Sequence, residues 1–225
     1  METTSKKSAR KSGTRSSETR IQTAYIEHLL TTGTRPPSVF KFCTDLGIKE
    51  DAFYESFGSF EGLERQIWKT LITKTTDRLK ADKAYRAFSS REKVLAFYFT
   101  LFEELRANRS FVLVQLANRN KLEIIPDFLK DFKHAFEQYL TGVLEAGKTT
   151  GEVAKRPYLD KTYPQTFWMQ LAFLLIFWRD DNSAAFEQTD AAIEKSVNLA
   201  FDLIGKGAID SVIDFAKFLY QSKMK

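Results

Sequence analysis

The sequence predicts an all-α protein. Apolar residues recur three and four positions apart along most of the 225 residues, as they do on the buried face of an amphipathic helix. Gly and Pro residues that end helices separate these stretches, and no stretch shows the alternation expected of a strand. Since 43% of the residues are apolar, the helices have enough hydrophobic surface to form a core.

Composition excludes several classes of protein. The longest apolar run, FWMQLAFLLIFW at 167–178, has 12 residues, whereas a membrane span needs about 20. The N-terminus has no apolar h-region, so we expect no secretory signal and a cytoplasmic protein. The net charge of +5 is small beside 34 basic and 29 acidic residues, so charge alone does not identify a partner.

The sequence also lacks the usual signs of catalysis or metal binding. One cysteine and two histidines are too few for a disulfide or a Cys/His metal cluster. It has no Ser/His/Asp ordering with motif context, no Gly-rich phosphate loop and no H-E-x-x-H pattern. The adjacent acids Asp180 and Asp181 precede Asn182 and Ser183, where a turn and a helix cap explain them. We therefore expect no enzyme, no cofactor and no metal site.

Residues 1–17 predict a disordered basic arm. They contain five basic residues against Glu2, and apart from Met1 and Ala9 they have no apolar residue to bury. Such an arm either keeps the protein in solution or touches the phosphates or a minor groove of a nucleic acid.

Three helices follow the arm. The first begins at Glu18 and ends at Gly33, before two prolines. Ser38 is a good N-cap for the second helix, which ends at Gly47, and the third runs over residues 50–56. Two short helices joined by a tight turn containing Gly form a helix-turn-helix unit, whose second helix can enter a major groove.

The stretch SVFKFCTDLGIKEDAFYESFGSFEGL, residues 38–63, resembles the tetracycline-repressor (TetR) family. The likeness lies in Ser-Val before the second helix, Leu-Gly-Ile at its turn, Phe-Tyr-x-x-Phe, and then Glu61 and Leu63 opening a fourth helix. It implies an all-helical homodimer with N-terminal DNA-binding heads and a larger C-terminal domain that dimerises and binds a small ligand. We assign residues 18–72 to the head and 73–225 to the second domain, joined by a fourth helix that reaches about Lys80.

The resemblance also implies which residues of the head contact an operator: Ser38, Lys49, Glu50 and Tyr54, joined by Arg20, Arg35 and Lys41. A plain solvated face explains the last three basic residues equally well, and Tyr54 also fits the edge of the core.

The third helix departs from the family pattern in its charge. Residues 49–60 carry one basic residue against Glu50, Asp51 and Glu55, and such a balance repels phosphate. A Glu can still accept a hydrogen bond from cytosine N4, and acids in a first turn favour the helix dipole. Phe60 stands where the family commonly has Lys.

Further helices make up the rest of the chain. Ser89 and Glu92 form a capping box, and a long helix opens at Pro126 and closes at Gly147. The last three helices are predicted at about 163–179, 184–204 and 208–222.

The helix at 163–179 is apolar nearly all round, so one of its faces needs a partner beyond its own core. Together with the helix at 184–204 it matches the position where the family forms its dimer. This predicts an interface containing Leu171, Leu175, Trp178, Ile193, Val197 and Phe201. The alternative is a helix buried within the monomer.

Most of the 20 phenylalanines lie in the second domain. An aromatic-lined pocket for a hydrophobic ligand is predicted from Phe99, Phe102, Phe111, Phe132, Phe136 and Trp168. Each of these is equally suitable as ordinary core. The sequence thus predicts a ligand-responsive, DNA-binding TetR-type regulator acting as a repressor. The alternative is a TetR-fold protein that has lost operator recognition and carries a hydrophobic or lipid-like ligand.

Overall fold

A computed structural model describes residues 3–117, 125–205 and 207, with the backbone alone for residues 3–16. These residues form nine α-helices and three short 3-10 helices, and they contain no β-strand. The all-α prediction is confirmed. The helix predicted at 208–222 lies outside the described residues. The α-helices are α1 (Thr3–Thr32), α2 (Val39–Leu46), α3 (Glu50–Tyr54), α4 (Phe60–Ala81), α5 (Ser90–Ala107), α6 (Arg109–Ala117), α7 (Lys130–Thr150), α8 (Tyr163–Asp180) and α9 (Glu187–Ile204).

The chain divides into two compact units. The first comprises residues 1–71 and 105–132, and the second comprises residues 72–104 and 133–225. The division therefore falls within α4, α5 and α7. The segment 105–132, which the sequence assigns to the second domain, joins the first unit because α6 packs against α1.

The ends of α2 follow from its flanking residues. The Ser38 Oγ accepts a hydrogen bond from the Lys41 amide at 3.1 Å, which caps the N-terminus. Gly47 has a φ of +69°, a left-handed conformation that glycine adopts without steric cost, and it ends the helix. The cap and end predicted for the second helix are confirmed, and α3 begins three residues after Gly47.

An aromatic cluster forms the core of the helix-turn-helix unit. The Phe60 ring centroid lies 5.4 Å from that of Tyr25, 5.7 Å from that of Phe42 and 5.6 Å from that of Phe53. These separations are typical of favourable aromatic pairs. The departure from the family's Lys at Phe60 is therefore structural, because this ring joins α4 to α1, α2 and α3.

The first helix begins earlier than the sequence predicts. The structure continues α1 back to Thr3, whereas the pattern of apolar residues begins after Glu18. Residues 3–17 contain no proline and a single glycine, so no residue there forces the helix to end. Low hydrophobicity limits what this segment can pack against, but it does not prevent a helical backbone.

The prediction that Gly147 closes a helix is wrong. The α7 helix runs on to Thr150 and is followed by Gly151, whose φ is +84°. A Cβ on Gly147 would lie 2.7 Å from Val153 Cγ2 and 2.8 Å from Ser90 Oγ. Glycine is therefore needed here for close packing rather than for ending the helix.

Candidate functional site

The predicted DNA-binding surface lies on α2 and α3. Tyr54, at the end of α3, is 52% exposed, while its neighbour Phe53 is buried in the core. Lys49 is exposed just before α3, and within the described part of the chain it makes no ion pair. The structure therefore favours the surface position of Tyr54 over the core edge, and it leaves Lys49 with an uncompensated charge.

The other basic residues of this surface differ in how their charge is used. The Arg20 Nη2 donates to the Leu46 carbonyl at 2.9 Å, which caps the end of α2 without neutralising the guanidinium. Lys41 pairs with Asp45 one turn away. Arg35 binds two carboxylates of α4. Arg20 thus keeps its positive charge available to phosphate, whereas Arg35 is bound to two carboxylates. Lys41 has an exposed ion pair with Asp45, which contact with a phosphate could replace.

Arg35 belongs to a buried polar network centred on Glu64 of α4. Its Nε donates to Glu64 Oε1 at 2.9 Å, and its Nη2 donates to Oε2. The Tyr25 hydroxyl also donates to Oε1, and the Gln115 Nε2 of α6 does so at 2.9 Å. Glu64 is almost fully buried, with a side-chain exposure of 2%. One carboxylate therefore joins α1, the segment before α2, α4 and α6.

Tyr25 remains a donor in this network at any ordinary pH. Burial and the charge of Glu64 raise the pKa of the Tyr25 hydroxyl well above its usual value. Sequence reasoning missed Glu64. The available signal was its spacing, since it lies four residues before the apolar Trp68 and next to Leu63 on the buried face of α4.

The six residues predicted to line one pocket are divided between the two units. Phe111 and Phe132 belong to the first unit, whereas the other four belong to the second. In the second unit Phe102 packs against Trp178, Phe136 packs against Trp168, and Phe99 is exposed at the surface. Five of the six are core side chains, as the alternative interpretation proposed.

Phe111 and Phe132 instead surround Trp68 of α4, which sequence reasoning did not select. The Trp68 ring centroid lies 6.3 Å from that of Phe111 and 5.8 Å from that of Phe132. Phe128 stacks on it at 5.4 Å. Trp68 is fully buried, and its Nε1 is the one buried side-chain nitrogen or oxygen in the described residues without a hydrogen-bond partner. Leaving such a donor unsatisfied costs about 1–3 kcal/mol.

Three open cavities of the second unit have volumes of about 490, 340 and 550 Å³. They are lined mainly by polar side chains, and none contains a residue of the predicted pocket. The first lies between α7 and the start of α8 and is lined by His134, Glu137, Gln138, Thr141, Lys161, Pro164 and Gln165.

The six residues predicted for the dimer interface are buried inside the protomer. They lie on the sides of α8 and α9 that pack within the second unit: Leu171, Leu175, Trp178, Ile193, Val197 and Phe201. Because they are buried, these six side chains do not lie on the exposed faces of α8 and α9. The opposite faces expose large apolar side chains, namely Met169, Phe173, Ile176, Leu199 and Leu203.

Asp181 fixes the turn between α8 and α9. Its carboxylate accepts hydrogen bonds from the amide and hydroxyl of Ser183, at 2.8 and 2.6 Å, and from those of Thr189, at 2.9 and 2.6 Å. These bonds lower the pKa of Asp181 to about 2. The predicted role of the paired acids, a turn and a helix cap, is confirmed for Asp181.

Comparison with known proteins identifies the family. The sequence profile described as "Tetracyclin repressor-like, C-terminal domain" matches residues 93–219, which is more than half of the chain.

The chain belongs to the tetracycline-repressor family.

Solved structures agree with this TetR-family fold. A Shewanella sp. PV-4 protein assigned to the tetR family of transcription regulators is 14% identical, with a TM-score of 0.59, and the match covers 84% of this chain and 97% of that one. A regulatory protein of the tetR family from Rhodococcus RHA1 is 17% identical, with a TM-score of 0.54 and coverages of 85% and 98%. The TetR family transcriptional regulator PfmR from Thermus thermophilus is 18% identical, with a TM-score of 0.51 and coverages of 84% and 100%. No curated protein sequence matches the chain significantly.

The described residues of this TetR-family chain contain neither a membrane-spanning helix nor a metal-binding cluster. No described helix combines the length and hydropathy that crossing a bilayer requires. The described residues also contain no group of three or more His, Cys, Asp or Glu side chains placed to hold a metal ion.

Proposed function

We propose that this TetR-family chain is a DNA-binding transcriptional repressor that works in the cytoplasm as a homodimer and responds to a small hydrophobic ligand. The observation that carries the proposal is the α2–α3 unit. Ser38 caps α2, and α3 presents Tyr54 outward from a firmly packed aromatic core. Family membership supports the same function, and we propose no enzymatic role.

The surface of α8 and α9 supports a dimer. Among the residues whose side chains the structure describes, ten large hydrophobic side chains are exposed, and five of these lie on the two helices. Exposed apolar side chains concentrated in this way mark an interaction surface. We propose that a second copy of the chain covers this face, so that two helices from each protomer form a four-helix bundle.

The dimer explains how a ligand controls DNA binding. Two heads can occupy successive major grooves only if their spacing matches about 34 Å along the duplex. A ligand that binds one conformation more tightly than the other shifts the population between two spacings. Binding or release of the ligand would then determine whether the dimer occupies the operator.

For the protein to bind DNA, attractive contacts must outweigh the negative charge of α3. Glu50, Asp51 and Glu55 would face a polyanion, and Lys41 forms an exposed ion pair with Asp45. Attraction would come instead from Arg20, Lys49 and the basic residues of 1–17. Because these contacts are largely to phosphate, we expect affinity to fall steeply as salt rises.

Selection from a random duplex library, at low and at physiological salt, tests the proposal. We expect a palindromic sequence to be enriched at both salt concentrations, since each head of a two-fold dimer reads one half-site. Weak, unselective binding that disappears at physiological salt would contradict it.

Replacing Glu50 and Glu55 by Gln tests whether α3 enters the groove. If both acids only repel phosphate, the double variant binds all duplexes more tightly, with an unchanged sequence preference. If one accepts a hydrogen bond from cytosine N4, the preferred sequence changes at that position. An unchanged affinity and preference would show that α3 does not approach the DNA.

The acidic surface of α3 favours a second candidate, a TetR-fold carrier of a hydrophobic or lipid-like ligand without operator recognition. The regulator requires Tyr54 and the basic residues of 1–17 for DNA affinity, whereas the carrier tolerates their loss. Comparing the DNA affinity of Tyr54→Ala with that of the wild type separates the two functions.

A further inference from the structure

The buried indole of Trp68 has a donor that the protein does not use. Its Nε1 has no acceptor among the described residues, although the side chain is fully buried. A phenylalanine would supply a similar apolar ring at this position without an unsatisfied donor. Trp68 therefore carries a cost to folding that a bound acceptor would remove.

The surroundings of this donor define the ligand that fits it. The described ring neighbours of Trp68 are Phe111, Phe128 and Phe132, at angles of 43°, 27° and 90° to the indole. Such rings offer apolar faces and edges that suit a flat, apolar group. A charged group would lose its hydration among these rings without an ionic partner. The chemistry therefore favours an uncharged molecule with one hydrogen-bond acceptor.

One side of this cluster is held mainly by the packing of Phe128. Phe128 lies on a 3-10 helix, Asp127–Leu129, which is tied to α4 by an ion pair of 2.9 Å between Arg65 and Asp127. Both side chains are about one-third exposed, at 37% and 32%. Ion pairs this exposed contribute little to stability, so a ligand that enters on this side has mainly the burial and stacking of Phe128 to replace.

We propose that Trp68 donates the hydrogen bond that recognises the effector, and that the effector is an uncharged, mainly apolar molecule with a carbonyl oxygen held among Phe111, Phe128 and Phe132. The inference rests on the proposed function, because it assigns the ligand of that regulator. Trp68 lies one helical turn from Glu64 on α4, and Phe111 lies one turn from Gln115 on α6. A ligand that displaces the Phe111 ring would therefore act on the two helices that the Glu64–Gln115 hydrogen bond joins.

Two probes that differ at a single group test this site without DNA. Acetophenone carries a carbonyl, and α-methylstyrene replaces its oxygen with a methylene group at nearly the same shape. The full chain, labelled with ¹⁵N, is titrated with each probe while the three indole N–H resonances are followed by NMR. The Trp68→Phe variant assigns the resonance of interest. Trp178→Phe is the matched control, because it removes another fully buried indole.

We expect acetophenone, and not α-methylstyrene, to move the Trp68 indole resonance in the direction of a stronger hydrogen bond. Trp68→Phe should weaken acetophenone binding about tenfold and leave α-methylstyrene binding unchanged. Because each probe is compared between the variant and the wild type, differences in hydration between the two probes cancel. Trp178→Phe should change the binding of neither probe. Equal effects of Trp68→Phe on both probes, or no response of its resonance to acetophenone, would overturn the inference. If the Trp68 resonance and variant do not respond as expected but the protein still selects a palindromic operator, the proposed function stands and the ligand site is wrong. If they respond as expected but no operator is selected, the ligand site stands and the proposed function is wrong.

Discussion

Removing the Glu64 carboxylate should strongly destabilise the first unit. In Glu64→Leu, the Tyr25 hydroxyl and the Gln115 amide lose their acceptor within the core. Each buried donor left unsatisfied costs about 1–3 kcal/mol, which gives about 4 kcal/mol for the two. The Arg35 side chain is 45% exposed and can be hydrated again, so we add nothing for it. Urea unfolding at a fixed protomer concentration measures the change in the free energy of unfolding.

Glu61→Leu is the matched control for this prediction. Glu61 lies on the same helix and also pairs with Arg35, but its side chain is 48% exposed. Its loss should therefore cost less than about 1 kcal/mol. If Glu64→Leu is no more destabilising than Glu61→Leu, the network centred on Glu64 does not hold the first unit together. Tyr25→Phe, which removes one donor and leaves the carboxylate paired, should cost about 1 kcal/mol.

Three further predictions concern the second unit. Because the folded-state pKa of Asp181 is lowered to about 2, its carboxylate stabilises the fold above its unfolded-state pKa of about 3.9, and this contribution is lost as the pH falls towards 2. Asp181→Asn should lower the Tm at about pH 7, and the difference from wild type should shrink below about pH 4; a constant difference would contradict this explanation. Gly147→Ala should lower the free energy of unfolding by introducing a clash, whereas Gly142→Ala, on the same helix but with open space around it, should raise it by about 0.5–1 kcal/mol. Phe173→Arg should convert the dimer to a monomer in sedimentation experiments, whereas Tyr158→Arg, which changes an exposed aromatic residue away from α8 and α9, should not. Dimers in both variants would show that another surface forms the interface.

The local features of the fold could be predicted from the sequence because neighbouring residues determine them. The Ser38 cap and the Gly47 end of α2 depend on a few adjacent atoms. The same is true of the capping box, in which the Ser89 amide donates to Glu92 at 2.7 Å and the Glu92 amide donates to Ser89 Oγ at 3.2 Å. Features of this kind require no knowledge of distant parts of the chain.

The features that were missed depend on contacts between distant residues. Gly147 suggested a helix end, but its neighbours Ser90 and Val153 require a residue without a side chain. The spacing of Glu64 indicates that it lies on the buried face of α4, but its partners and those of Trp68 lie on α6 and before α2, where no local pattern reveals them.

The predicted dimer interface shows a second kind of limit. Since α8 is apolar on nearly all sides, its periodicity does not distinguish the face that packs inside the protomer from the face available to a partner. Leu171 and Phe173 are equally hydrophobic in the sequence, and only the folded chain shows that the first is buried and the second exposed.

A hydroxyl-radical footprint of the full chain on its selected duplex tests the central claim, a dimer whose two heads read DNA. We predict two protected regions on one face of the duplex, with centres about 34 Å apart. Both protected regions should disappear in Phe173→Arg, because a monomer has a single head and cannot occupy both half-sites at once. A single protected region, or protection unchanged in Phe173→Arg, would contradict the account.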